Sequence, residues 1–224
     1  MPALRAAFPF TIPIMTGFCF LGAAYGIYMN VLGFGVMYPT LMAALIFGGS
    51  LEFVAATMLL APFAPLQTFA VAVMIQARHL FYGLAMLERY KGLGLKRQYL
   101  IFGLCDETFA INYSARVPEG IDRGWFYFWV TLLNQSYWVG SALVGGLLGE
   151  VLTFDTNGLG FVMTAMFVVI YLEQFLIERR HVTGLIGFLA STACLIIFGS
   201  ESFLIPSMLV ILIVLTAFRS RIEQ

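Results

Sequence analysis

The chain has 224 residues, of which 61% are hydrophobic and only 11% are charged. Soluble domains carry about 25% charged residues, so this composition is that of a membrane protein and excludes an ordinary soluble enzyme. The 12 basic and 12 acidic side chains cancel to a formal net charge of zero, which excludes a global basic surface for nucleic acid. No polar stretch is long enough for a soluble domain, so residues 1–224 are predicted to form one integral membrane domain.

Eight apolar runs are separated by short charged connectors, and about 20 apolar residues suffice to cross a bilayer as a helix. In chain order the runs cover residues 8–31, 36–62, 65–87, 98–115, 125–152, 159–177, 183–199 and 203–218. Basic residues concentrate in the connectors and termini: 11 of the 12 fall near residue 5, in 89–97, in 116–123, at 179–180 and at 219–221. The remaining one, Arg78, lies inside an apolar run.

The positive-inside rule places all these basic connectors in the cytoplasm. That is possible only if runs 36–62 and 98–115 each enter the membrane and return on the same side. Each run contains a break: Gly48–Ser50 in the first, with Ser50 expected to cap a new helix, and Gly103–Cys105 in the second, with Asp106 as the helix N-cap. The sequence therefore predicts an all-α polytopic membrane protein with about six full transmembrane helices plus two broken, re-entrant helical elements, and with both termini cytoplasmic. The alternative is seven or eight plain spans and an imperfect charge rule.

Arg78 and His79 are adjacent residues inside the third apolar run. An arginine at the centre of a membrane helix costs about 2.5–3.5 kcal/mol on insertion scales, so it needs a partner or a task there. Neighbouring residues on a helix point about 100° apart, so the two side chains cannot face one partner. Arg78 is predicted either to bind a substrate carboxylate through its planar fork or to form a structural ion pair with Asp106 or Glu107. His79 is predicted either to transfer protons or to be satisfied by a neighbouring helix.

Acidic side chains follow both breaks. Glu52 comes two residues after the first break, where it is predicted either to bind a substrate ammonium or a proton, or simply to stabilise the helix start. Asp106 and Glu107 follow the second break, and two adjacent carboxylates resist ionising together, which suits a proton-coupled step. The predicted substrate-binding set is Ser50, Glu52, Arg78, Asp106, Glu107 and Asn112. The predicted proton-coupling set is Glu52, His79, Asp106 and Glu107.

Other polar and small residues are predicted to join helices, or to mate with another subunit in a homo-oligomer. They are Gln76, Asn134 and Gln135, and the strips Gly17, Gly22, Gly26 and Gly140, Ser141, Gly145, Gly146, Gly149. The sequence carries no nucleotide-binding, zinc-protease or serine-hydrolase motif. We therefore expect no cofactor, no metal and no enzyme activity.

Three stretches carry a resemblance: Phe47–Phe53 (FGGSLEF), Gln76–Leu84 (QARHLFYGL) and Asp106–Ala110 (DETFA). Together they resemble the AzlC family of bacterial branched-chain amino acid exporters. The resemblance implies a permease of the bacterial inner membrane that exports leucine, isoleucine or valine, together with a second, smaller membrane subunit of the AzlD type. The absence of a nucleotide-binding segment from this sequence favours a secondary carrier driven by an ion gradient, expected to be of protons.

A zwitterionic substrate would need Arg78 and the half-helix starts for its carboxylate and an acid for its ammonium, with Phe53, Phe81 and Phe109 as walls for its aliphatic side chain. Family members often have glutamine where this chain has Glu52, and asparagine where it has Gln76. The charge at position 52 keeps open a carrier for another small amino acid such as methionine. A different class also stays open, namely a channel or a non-transporting membrane subunit whose buried charges are structural.

Overall fold

The computed structural model describes residues 2–151 and 181–217, together with Val168, Leu172 and Phe175. Every regular element in these ranges is an α-helix, so the predicted all-α class is confirmed for the part of the chain that is described. The helices are α1 (Pro2–Val31), α2 (Met37–Leu45), α3 (Gly49–Leu60), α4 (Pro65–Met86), α5 (Lys96–Phe102), α6 (Asp106–Ser114), α7 (Arg123–Val151), α8 (Val182–Ser202) and α9 (Leu204–Ala217).

Among the described residues, three helical segments are long and apolar enough to cross a membrane: Pro2–Val31, Pro65–Met86 and Val182–Gly199. The predicted number of six full spans is not confirmed. Run 159–177 lies outside the described residues except for three single positions. In run 203–218 the helix has 14 residues, fewer than the roughly 20 that a full span needs.

The chain divides into two compact units, residues 1–162 and 163–224. In the second unit α8 packs against α9, and α8 is kinked at Gly199, whose φ of +74° is a left-handed conformation that glycine adopts readily. Within the first unit α1 and α7 form the central pair, and the shorter helices pack around α7. All the predicted site residues lie in this first unit. The single domain over residues 1–224 stays a prediction.

Helices α1 and α7 approach closely because small residues face each other. A Cβ atom on Gly26 would overlap the backbone of Ala142 and Gly146, and a Cβ atom on Gly145 would overlap the backbone of Ala23. The two predicted glycine strips therefore pack against each other within one chain. Two members take no part in this contact, because nothing lies within 4 Å of an added Cβ at either position: Gly17 and Gly140.

The same helix pair runs parallel. Ring contacts pair Phe10 with Phe126 at 5.7 Å and Phe18 with Trp138 at 5.3 Å, and the contact of Gly26 follows further along both helices. Because the contacts advance in the same direction on α1 and α7, the two N-termini lie at the same end of the pair. This end carries the basic residues near position 5 and in 116–123.

Each run that the sequence predicts to be broken forms two helices, and the first break is built from residues 46–48. Phe47 has a φ of +47°, a left-handed conformation that costs a non-glycine residue about 1–2 kcal/mol. Its side chain is only 5% exposed, so packing holds this conformation. Gly48 lies close to α4, since a Cβ there would overlap the side-chain amide of Gln76 unless that amide moved. In the second break a Cβ on Gly103 would likewise overlap the methyl group of Thr131 on α7.

The predicted capping roles at the two breaks are wrong. Ser50 is the second residue of α3, whose N-cap is Gly48, so Ser50 does not occupy the capping position. Asp106 is the first residue of α6, and the N-cap is Cys105, without a capping side-chain bond. Both side chains are therefore free to make contacts outside their own helix.

The α2–α3 element reverses direction beside the middle of α7. At its start the amide of Val36 donates to the Glu150 carboxylate at 3.3 Å, near the C-terminal end of α7. At the end of α2 the Gln135 amide donates to the carbonyl of Ala44 at 3.1 Å, about four turns back along α7. Helix α3 then runs back toward the end where α2 began, because Phe53 packs against Tyr25 and Tyr28 near the C-terminal end of α1.

The α5–α6 element does the same from the opposite end of α7. It begins where the Lys96 ammonium lies 3.7 Å from Asp122, just before α7 starts. At its far end the Asn134 amide donates to the Thr108 hydroxyl at 3.2 Å. Helix α6 then returns, and Asn112 lies among residues that pack near the start of α7. The two broken elements thus meet at the middle of α7 from opposite ends.

Candidate functional site

Arg78 on α4 joins the two broken elements. Its Nη1 lies 2.8 Å from Asp106 Oδ2 in the first turn of α6, and its Nη2 donates to Ser50 Oγ at 3.2 Å in the first turn of α3. The side chains of Arg78 and Asp106 are 35% and 30% exposed, so the ion pair is only partly buried in the fold. One guanidinium therefore holds the starts of two half-helices, and the ion pair is with Asp106 rather than Glu107.

Two polar atoms of this cluster are buried and have no hydrogen-bond partner within the described part of the chain. They are the Nε donor of Arg78 and the Oδ1 acceptor of Asp106, and the Tyr82 hydroxyl lies close to the same carboxyl group. An unsatisfied buried polar group costs about 1–3 kcal/mol, so each of these atoms favours an incoming partner. A donor and an acceptor on adjacent side chains match the carboxylate and the ammonium of an amino acid. The N-terminal ends of α3 and α6 add positive helix-dipole charge for the carboxylate.

Two amides of α7 hold the broken elements against this helix, as the sequence predicts. Gln135 donates to the Ala44 carbonyl and accepts from the Tyr99 hydroxyl at 2.6 Å, so it binds α2 and α5. Asn134 binds Thr108 of α6, and its own Oδ1 is buried without a partner in the described chain. The middle of α7 is therefore a fixed support for both half-helix starts.

Glu52 is fully buried, and both of its carboxylate oxygens accept hydrogen bonds inside the fold. The backbone N–H of Gly48 donates to Oε1 at 2.9 Å, and the indole Nε1 of Trp138 lies 3.1 Å from Oε1 and 3.0 Å from Oε2. This geometry matches the predicted alternative in which Glu52 stabilises the break. A role of Glu52 in substrate binding or proton coupling stays a prediction.

Arg78 and His79 point to different partners, as predicted from their adjacency. The His79 ring packs edge-on against Tyr82 at 5.5 Å between ring centres, and its Nδ1 is buried and makes no well-aligned hydrogen bond to a described residue. Tyr82 lies beside Asp106, one turn along α4 from Arg78. The imidazole is thus close to the ion pair without belonging to it.

The remaining polar candidates lie further from Arg78. Glu107 is partly buried on the next face of α6. Asn112 is fully buried six residues beyond Asp106, about 9 Å along the helix axis, where its Nδ2 donates to the Tyr90 hydroxyl at 2.9 Å. Asn112 therefore ties the end of α6 to the segment after α4, and the structure does not bring it to the ion pair. In the part of the chain that is described, no group of three or more acidic, histidine or cysteine side chains is placed to hold a metal ion.

The aromatic walls expected around the substrate are arranged differently. Phe53 is fully buried against Tyr25 and Tyr28, with ring centres 5.1 and 5.6 Å away, so its role in receiving a substrate side chain stays a prediction. Phe81 is 61% exposed and is not among the residues that line the cavity between α4 and α5. Phe109 stacks on Tyr82 at 4.4 Å and lies next to the ion pair. Of the three, only Phe109 is at the site.

Sequence reasoning missed an apolar cavity between α4 and α5. Its volume is about 490 Å³, and the residues that line it include His79, Gly83, Leu84 and Leu87 of α4 with Ile101 and Leu104. The α4 residues recur at three- and four-residue spacing, which places them on one helix face. That spacing was readable from the sequence, whereas the position of α5 beside it was not.

A family model described as AzlC protein matches residues 13–152, a range that contains Ser50, Arg78 and Asp106. The chain belongs to the AzlC family. This AzlC-family chain is 54% identical to the branched-chain amino acid transport protein AzlC of Bacillus subtilis (strain 168) over 222 residues. These residues are 99% of this chain and 87% of that protein. The resemblance predicted from the three sequence stretches is thereby confirmed.

Two other relatives of this AzlC-family chain are named as membrane proteins. An uncharacterized membrane protein of Haemophilus influenzae is 47% identical over 222 residues, which are 99% of this chain and 91% of that protein. The inner membrane protein YgaZ of Escherichia coli (strain K12) is 27% identical over 194 residues, which are 80% of this chain and 77% of that protein. No solved structure matches the chain.

Proposed function

We propose that this AzlC-family chain is a secondary-active exporter of leucine, isoleucine and valine in the bacterial inner membrane. Transport is coupled to protons, and the chain works with a small membrane subunit of the AzlD type. The proposal draws on the 54% identity to a protein named for branched-chain amino acid transport. It draws equally on the polar cluster that Arg78 organises.

The observation that carries the proposal is the bridge that Arg78 makes between Ser50 and Asp106. Half-helices that start at membrane depth are a common way to bind a charged substrate near the midplane of a transporter. In the proposed site the substrate carboxylate takes the free Nε of Arg78 and the start of α3. The substrate ammonium is bound by the free Oδ1 of Asp106.

The same ion pair supplies a route to proton coupling. A substrate carboxylate competes with Asp106 for the Arg78 guanidinium, because one planar fork offers a limited set of donors. When Arg78 turns to the substrate carboxylate, Asp106 is left with the substrate ammonium as its cation, and release of that ammonium leaves a carboxylate that a proton can neutralise. His79, Glu107 and Glu52 are the remaining candidates for carrying that proton.

The directions of the helices support the proposed topology. With the N-terminal ends of α1 and α7 on the cytoplasmic side, the basic residues near position 5, in 89–97 and in 116–123 fall on that side too. The α5–α6 element then enters and returns from the cytoplasm, and α2–α3 from the opposite side. Each side of the membrane would thus supply one half-helix start to Arg78, which suits alternating access.

A second candidate function is favoured because the charged side chains inside the fold have partners within the same chain. Glu52 is hydrogen-bonded within the fold, and Arg78 and Asp106 neutralise each other. A channel or a non-transporting membrane subunit would need no more than this. The free polar atoms beside the ion pair favour the carrier instead, and methionine is the alternative substrate for that carrier.

Efflux of preloaded, labelled leucine from membrane vesicles tests the proposal. The chain is compared alone and co-expressed with a small AzlD-type subunit, with and without a pH gradient, and counterflow is measured at equilibrium. A proton-coupled carrier gives saturable exchange and gradient-driven efflux that requires the subunit. Leucine flux that never saturates indicates a channel, and no leucine movement in any arrangement refutes the proposed substrate.

A further inference from the structure

The cavity between α4 and α5 lies on the helix face adjacent to the Arg78 cluster. His79 forms part of its wall and is the next residue after Arg78, while Leu104 forms another part and lies two residues before Asp106. Its volume of about 490 Å³ falls in the range of small-molecule pockets, roughly 300–1,000 Å³. Arg78 and Asp106 do not line the cavity themselves, but each is within two residues in the chain of a residue that does.

We infer that this cavity receives the aliphatic side chain of the substrate and that Gly83 sets how large that side chain is. The inference rests on the proposed function and adds the part of the site that selects among amino acids. The substrate backbone binds Arg78 and Asp106 on one face of α4, and its side chain passes to the next face. Apolar walls at Leu84, Leu87 and Ile101 suit branched hydrocarbon groups, and because these side chains are 63%, 46% and 52% exposed, the cavity is open on its outer side.

One polar atom of the wall argues for a ligand rather than a lipid chain as the occupant. The Nδ1 of His79 is buried beside the backbone of Gln76 on its own helix and makes no well-aligned hydrogen bond to a described residue. Lipid chains offer such a nitrogen no hydrogen bond, and burial without one is unfavourable. An amino acid anchored at Arg78 brings its own polar groups, or an ordered water, to this side of the cavity.

Gly83 is the position in the cavity lining where the absence of a side chain leaves space for a ligand. It lies on the same face of α4 as His79, one turn further on, and nothing lies within 4 Å of a Cβ built there. A larger side chain at this position would therefore grow into the cavity without displacing its neighbours. Gly17 of α1 is a matched control, because it too is a helical glycine with nothing within 4 Å, and it lies outside the cavity lining.

The test measures substrate preference in vesicles in which the unchanged chain moves leucine. The variants Gly83→Ala, Gly83→Val and Gly83→Leu are compared with Gly17→Leu, after gel filtration in detergent has shown equal amounts of folded protein. Counterflow of labelled leucine is measured against unlabelled alanine, valine and leucine as competitors. Two substrates that differ by one methylene group are distinguished by an apolar pocket by about 10- to 200-fold.

The inference predicts a graded result. The preference for leucine over alanine falls stepwise from Gly83→Ala to Gly83→Val, by about tenfold or more at Val, and Gly17→Leu leaves it unchanged. If Gly83→Leu does not fold, the Ala and Val variants carry the test. Folded Gly83 variants with unchanged preference overturn the inference while the proposed function stands, and leave the cavity to a lipid chain. Failure of the unchanged chain to move leucine refutes the proposed function itself.

Discussion

Replacing Arg78 with lysine tests the bridge between the two half-helices, because the positive charge is kept and the planar fork is lost. The guanidinium reaches Asp106 and Ser50 with two different nitrogens, whereas a single ammonium keeps the ion pair and gives up the second contact. A hydrogen bond that involves a charged group contributes about 1.5–3 kcal/mol. Because the Arg78 and Asp106 side chains are about one-third exposed, the lower end of that range applies.

About 1.4 kcal/mol corresponds to a factor of ten, so we expect Arg78→Lys to lower leucine counterflow at least about tenfold. The assay is the initial rate of labelled-leucine exchange in vesicles, normalised to the amount of folded protein in the membrane. Arg97→Lys is the matched control, since Arg97 is an exposed arginine near the start of α5 and away from the ion pair. Counterflow by Arg78→Lys at the rate of the Arg97→Lys control would remove Arg78 from the substrate site.

Three further predictions follow from the contacts around the breaks and between α1 and α7. Asp106→Asn is expected to flatten the pH dependence of leucine efflux while folded protein is retained, because Asp106 makes no capping bond; loss of folded protein would instead assign Asp106 a structural role. Trp138→Phe removes the indole donor to buried Glu52 and should lower the free energy of unfolding by about 1–3 kcal/mol, seen as a lower midpoint in thermal unfolding; an unchanged midpoint would contradict the importance of this contact. Gly145→Ala should reduce the yield of folded protein because its Cβ overlaps α1, whereas Gly140→Ala, with open space, should not; equal yields would contradict the close packing of α1 on α7.

The outline of the fold was readable from the sequence because membrane helices and their interruptions leave strong signals. Apolar runs marked α1, α4 and α7, and the glycines marked both breaks to within a few residues. The exact geometry of the first break was not readable, since Phe47 takes a left-handed conformation that its residue type disfavours and that only packing maintains. The number of full spans likewise depends on how the C-terminal runs pack, and apolar length alone does not determine that.

Part of the candidate site was readable for a similar reason. A single arginine in an apolar run needs a partner, so its pairing with Asp106 was among the predicted alternatives. Three features depend on how α3, α6 and α7 are placed in space. They are the contact of Arg78 with Ser50, the hydrogen bond from Trp138 to Glu52, and the distance of Asn112 from the ion pair. Sequence spacing carries no information about that placement. The capping roles were predicted wrongly for a local reason, since α3 begins at Gly49 and α6 at Asp106, which puts Ser50 and Asp106 inside the first turn.

The central claim is that the meeting point of the two half-helices binds the substrate. Equilibrium binding of labelled leucine to the purified protein, together with its small subunit where efflux requires one, tests this most directly. The measurement compares the unchanged chain with Ser50→Ala, which removes the second contact of Arg78 and leaves every charge in place. The account predicts saturable leucine binding that Ser50→Ala weakens and that excess valine displaces. Leucine binding of equal affinity in both proteins would contradict it.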